Sequence, residues 1–91
     1  QNDYVPALIN LGIALARSGE VKEAAESLSK AVDIEPANEE AILNLAVLQE
    51  RMGNYDSALR YYKQAAGLGS LQAMTGEARV MEKTGKAAEA L

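Results

Sequence analysis

The feature that most restricts this 91-residue chain is that it nearly repeats itself. Offset by 34 residues, Ala7 to Pro36 lies over Ala41 to Ser70: Leu8-Ile9-Asn10-Leu11-Gly12 falls on Ile42-Leu43-Asn44-Leu45-Ala46, Arg17-Ser18-Gly19 on Arg51-Met52-Gly53, and Ala24, Leu28 and Ala31 on Ala58, Tyr62 and Ala65. An incomplete third copy follows at an offset of 32, with Arg51 on Lys83, Gly53 on Gly85 and Ala58 on Ala90, so two residues are missing near Gly67-Leu68-Gly69-Ser70. A repeat of this length is one supersecondary unit, which buries its apolar face only by stacking on its neighbours.

Within each copy the local signals describe two helices and a tight turn. Residues near 4 to 17 carry Leu8, Leu11, Gly12 and Leu15 at the i, i+3, i+4, i+7 spacing of an amphipathic helix. Arg17-Ser18-Gly19 predicts its end, because a cation complements the carbonyl end and Gly accepts the left-handed conformation that closes it. The same ending recurs at Arg51-Met52-Gly53 and Lys83-Thr84-Gly85. A second helix near 21 to 34 presents Val21, Ala24, Leu28 and Ala31 and stops before Pro36, and its partner runs near 55 to 66. Ala and Leu dominate the apolar half of the chain, with no Trp, no Phe and four Tyr, which suits closely packed helices better than a sheet. The sequence therefore reads as all-α and as a single domain over residues 1–91, with repeats at about 5–38, 39–70 and an incomplete 71–91.

Composition excludes several classes of function. There is no cysteine and no histidine, so thiol nucleophiles, disulfides, the usual zinc sites and imidazole bases are absent, and an enzyme is not expected. A net charge of -4 argues against a surface built to neutralise phosphates, so no nucleic-acid partner is expected. Neither a membrane span nor a leader sequence is legible. The opening Gln1-Asn2-Asp3-Tyr4 lacks an initiating Met, which suggests a piece of a longer or processed chain. Compartment is not encoded, with the cytoplasm only slightly favoured. Asp33, Glu35, Glu39 and Glu40 lack the alternation and central Gly of a calcium loop, and Gly67-Leu68-Gly69 follows no strand and has no Lys, so neither a metal, a phosphate nor any cofactor is expected.

Leu8, Leu11, Gly12 and Leu15, followed by Ala24, Leu28, Ala31 and Pro36, resemble the tetratricopeptide repeat pattern of W-x-x-L-G-x-x-Y, A-x-x-x-F, A and P with permitted substitutions. The resemblance covers nearly the whole chain, two copies fully and one in part. It implies a right-handed α-α superhelix of antiparallel helix hairpins, with Gly or Ala at Gly12, Ala24, Ala46, Ala58 and Ala78 allowing close helix approach. Copy three departs from the pattern, with Glu77 at the place of Leu11 and Leu45 and Gly76 at the place of Asn10 and Asn44; in copy two Gln49 replaces Leu15. Of the Tyr61-Tyr62 pair, Tyr62 takes Leu28's core place and Tyr61 is expected to point away.

The resemblance further implies that first helices line a concave groove that binds a peptide segment of a protein partner. Asn10 and Asn44 occupy equivalent places there, and a row of amides would serve an extended backbone; the alternative is that they order the stack. Arg17, Arg51 and Lys83, with Arg79 one turn before Lys83, form a parallel row that would favour an acidic peptide, or else simply complement helix ends. Ile13 and Val47, with Pro6, supply an apolar floor. The family's carboxylate clamp is not matched, because Ile9, Ile13, Gln72 and Gly76 stand at four of its five places and only Asn44 agrees. A non-catalytic interaction module is the reading this supports. The alternatives are the docking arm of a larger enzyme and a self-assembling segment, a homo-oligomer formed through Met74, Ala78, Met81 and Leu91 exposed at an uncapped end.

Overall fold

The computed structural model describes residues 4–85, which form five α-helices and, among the described residues, no strand: α1 (Tyr4–Arg17), α2 (Val21–Ile34), α3 (Glu39–Arg51), α4 (Tyr55–Gly67) and α5 (Leu71–Thr84). Helices α1 and α2 make one antiparallel hairpin and α3 and α4 the next, while α5 lies on α4 and α3. Each helix packs only on those one or two places away in the chain, the contact pattern of a stack. The molecule is accordingly a slab of 41 × 27 × 17 Å, about two helix diameters thick.

The ends of the helices follow from the residues placed there. After α1 the Glu20 N–H donates to the Leu15 carbonyl at 2.9 Å and Gly19 N–H to Ala16, and after α3 Asn54 N–H donates to Gln49 at 2.8 Å and Gly53 N–H to Glu50. This paired closure requires a left-handed residue, and Gly19 and Gly53 have φ of +87° and +83°. Asn38 and Ser70, 32 residues apart, begin α3 and α5 by accepting the N–H of Ala41 and of Ala73, both at 3.0 Å. The two missing residues of copy three lie between these caps and the second hairpin: α4 is one residue shorter than α2, and Leu68-Gly69-Ser70 replaces the longer Glu35-Pro36-Ala37-Asn38 connection. The offset of 32 therefore holds along all of α5.

Two core clusters fill the stack. One joins Val5, Leu8 and Ile9 of α1 and Ala24, Leu28 and Ala31 of α2 to Ala41, Leu45 and Leu48 of α3. The other joins Ile42 and Ala46 of α3 and Ala58, Leu59, Tyr62 and Ala65 of α4 to Ala73 and Val80 of α5. Helix α3 thus buries two faces, one against the α1–α2 hairpin and one against α4 and α5. Tyr61 does not point away from the core: it is half-buried and packs against both clusters.

Two further expectations need correction for one reason, the position of a residue in the stack. Leu11 is 51% exposed although its equivalent Leu45 is 1% exposed, because α2 covers the Leu45 face of α3 and no described helix covers that side of α1. Ala78 is exposed, whereas Ala46 is buried under α4, so Ala78 mediates no close helix approach. That role in α5 falls to Gly76, where a Cβ would run into the Tyr62 ring, as one on Gly12 would sit 2.7 Å from Leu28 Cγ. Met74 is exposed and Met81 half-buried; Leu91 lies outside the described residues.

Candidate functional site

Alternate helices α1, α3 and α5 place residues 10, 13 and 17, then 44, 47 and 51, then 76, 79 and 83, at matching points. Two cavities open between them. The first, of about 130 Å³, lies between α1 and α3 with Leu28 at its base; Ile13, Arg17, Asn44, Val47 and Arg51 are among its walls. The second, of about 410 Å³, lies between α3 and α5 with Tyr62 at its base and is lined by Leu43, Asn44, Val47, Gln72, Thr75 and Arg79. Asn44 and Val47 border both, so the cavities lie side by side along the groove lined by these three helices.

The two expected amides differ in setting. Asn44 is half-buried, and its Nδ2 donates to the Glu40 carbonyl of its own helix at 2.8 Å, which holds the side chain in place and leaves Oδ1 as an acceptor. Asn10 is exposed and lines neither cavity. No third amide continues the row, since Gly76 stands at that place and the Tyr62 ring takes its space.

The four cations divide into two pairs. Arg17 and Arg51 are exposed, border the smaller cavity and have no ion pair among the described residues. Arg79 and Lys83 instead hold Glu50, whose side chain is 8% exposed. Arg79 Nε donates to Glu50 Oε2 and Arg79 Nη2 to Glu50 Oε1, both at 2.8 Å; Lys83 Nζ donates to Oε2 and the Tyr62 hydroxyl to Oε1, again at 2.8 Å. Arg79 Nη2 also reaches the Tyr62 hydroxyl at 3.2 Å, and Lys83 Nζ sits 5.8 Å from the centre of the Tyr55 ring, within cation–π range.

A carboxylate buried this deeply stays ionised only if its oxygens are fully partnered. Here the Arg79 bond, with help from Lys83 and Tyr62, outweighs burial and holds the Glu50 carboxyl at about 2, against an ordinary 4.5. Burial, with the adjacent Glu50 charge, pushes Tyr62 up to about 12, and Glu50 raises Arg79 further above its usual range. The cluster ties α3, α4 and α5 together. Sequence reasoning placed Arg79 and Lys83 in the groove but passed over Glu50. The signal was a double change between copies, Ala16 to Glu50 and Leu28 to Tyr62, which sets a carboxylate beside a phenol in the core.

The sequence matches the tetratricopeptide repeat profile over residues 15–69, more than half of its length. The chain belongs to the tetratricopeptide repeat family. No curated protein matches it. Among solved structures, the Yersinia enterocolitica type III secretion chaperone SycD, in complex with a peptide of the translocator YopD, superposes with a TM-score of 0.91 at 22% identity, covering 99% of this chain and 70% of SycD. A MamA mutant gives 0.86 at 26% identity, covering 99% of this chain and 67% of that one. MamA from AMB-1 gives 0.85 at 26%, covering 98% of this chain and 54% of that one. The fold is the right-handed superhelix of tetratricopeptide repeat hairpins.

Proposed function

We infer that the chain is a non-catalytic interaction module that binds an extended, acidic peptide segment of a protein partner along the α1, α3 and α5 groove. The observation that carries this reading is the free Arg17 and Arg51 pair at the rim of an apolar cleft. Two guanidiniums, each with five donors and no intramolecular acceptor among the described residues, suit a carboxylate better than they suit one another. Val47 and Ile13 between them offer apolar contact to the same ligand. SycD, a protein of the same fold, was crystallised with a translocator peptide, which supports a peptide as the ligand class. The groove holds none of the nucleophile and base pairings that acyl or phosphoryl transfer needs.

The test is fluorescence anisotropy with an acidic labelled peptide against the chain and its R17Q/R51Q variant. Micromolar affinity, about -8 kcal/mol, is expected for the parent, weakening at high salt and falling at least about tenfold in the variant. Equal affinity of the two proteins refutes the acidic-ligand reading. A second reading, self-association, is favoured by the exposed Tyr4 and Leu11 on α1 and by Leu71 and Met74 on α5. Sedimentation of the chain at rising concentration tests it, and a constant monomer mass removes it.

A further inference from the structure

Building on the groove reading, we propose that the ligand segment carries a bulky apolar side chain about three residues from its acidic one, the acid lying against Arg17 and Arg51 and the apolar group filling the cavity between α3 and α5. The two cavities are built for different groups. The one between α1 and α3 is small, about 130 Å³, with two arginines at its rim. The one between α3 and α5 is about 410 Å³, and Thr75 of α5 lines it at the place where α3 carries the larger Leu43. Its base is the Tyr62 ring and its wall includes Leu43 and Val47, surfaces that gain from contact with an aromatic or large aliphatic group.

The second cavity is poorly suited to the acid. Both Arg79 nitrogens that face inward are spent on Glu50 and Tyr62, and Glu50 already brings a carboxylate to that cluster. An incoming carboxylate would have to displace Glu50 from a site where it accepts four hydrogen bonds at 2.8 Å. The order along the groove is therefore acid between α1 and α3 and apolar anchor between α3 and α5. The spacing follows from geometry: packed helices lie about 8–10 Å apart and an extended chain advances about 3.3 Å per residue, so neighbouring inter-helix cavities are about three residues apart. Asn44 Oδ1 and the Gln72 amide, on opposite sides of the second cavity, can engage the backbone between the two anchors.

The test uses the chain as it stands and labelled peptides of Gly and Ser carrying one Glu and one Phe, separated by one to five positions and in both orders, read by fluorescence anisotropy. The proposal expects the tightest binding at a separation of about three, at least about tenfold tighter than a peptide with Glu alone. Thr75→Trp, which fills the second cavity from an exposed position, should reduce the Glu–Phe peptide to the affinity that the parent chain shows for the Glu-only peptide. If the peptides bind and R17Q/R51Q weakens them, yet Phe and its spacing make no difference in the parent chain, the proposal is overturned and the groove reading stands. If no peptide of the series binds, both are overturned.

Discussion

Replacing Glu50 by Gln tests the central electrostatic feature of the fold, because it keeps the shape of the side chain and removes its charge. In the folded chain this carboxyl titrates at about 2 rather than 4.5. At about 1.4 kcal/mol for each tenfold change in acidity, that difference corresponds to about 3 kcal/mol of stabilisation as an upper value. Arg79 and Lys83 are each 46% exposed at the side chain, so water screens their part of the interaction and about 2 kcal/mol is the better expectation. The sign follows from linkage: a depressed folded value means the contribution is complete above pH 4.5 and is lost as pH falls toward about 2. Urea unfolding followed by circular dichroism should show the variant about 2 kcal/mol less stable near pH 7, with the gap shrinking by more than half by about pH 3. Taking the difference between the two proteins cancels the titration of the other carboxylates. A gap that is equally large at both pH values would mean that packing, and not charge, sets the cost; no gap at neutral pH would refute the argument altogether.

Other perturbations test packing and helix ends. Leu45→Ala should cost about 2–5 kcal/mol in chemical denaturation, whereas Leu11→Ala, at the equivalent place in copy one but half in water, should cost less than about 1 kcal/mol; similar costs would contradict the stack order. Gly76→Ala should lower stability by about 1–2 kcal/mol net, since the methyl would meet the Tyr62 ring and overpacking outweighs the roughly 1 kcal/mol gained in helix propensity. A melting temperature that rises in this variant would show that the ring yields. Asn38→Ala and Ser70→Ala should each cost about 1 kcal/mol in thermal or urea unfolding, because each removes the side-chain acceptor for a first-turn N–H, and an unchanged midpoint would show that water replaces the cap.

The helices were legible because their punctuation is chemical: Gly19, Gly53 and Gly85 end them, and the spacing of Leu8, Ala24, Leu28 and Ala31 identifies the faces that are buried. The register of copy three was less readable, and it is the caps Asn38 and Ser70, 32 residues apart, that fix it in the structure. What a repeat alignment does not carry is the neighbour on each side. Leu11 and Leu45 share one letter and one place in the pattern, yet only the second has a helix against it. The groove residues divided for a similar reason. Arg17, Arg51, Arg79 and Lys83 look alike along the chain, and only the position of Glu50 across the stack separates cations with open donors from cations already engaged. Gly76 looked like decay of the asparagine row, but it is matched to the larger Tyr62 beneath it.

An array whose units meet only adjacent units tends to peel from its ends, one helix at a time. The Glu50 cluster works against this at one end: to lift α5 from α4, the chain must also strip two cations from a carboxylate on α3. No ion pair of this kind fastens α1 to the rest among the described residues. Amide exchange should consequently run unevenly along the slab, with α5 shielded beyond what its small share of core contacts would suggest and α1 opening sooner.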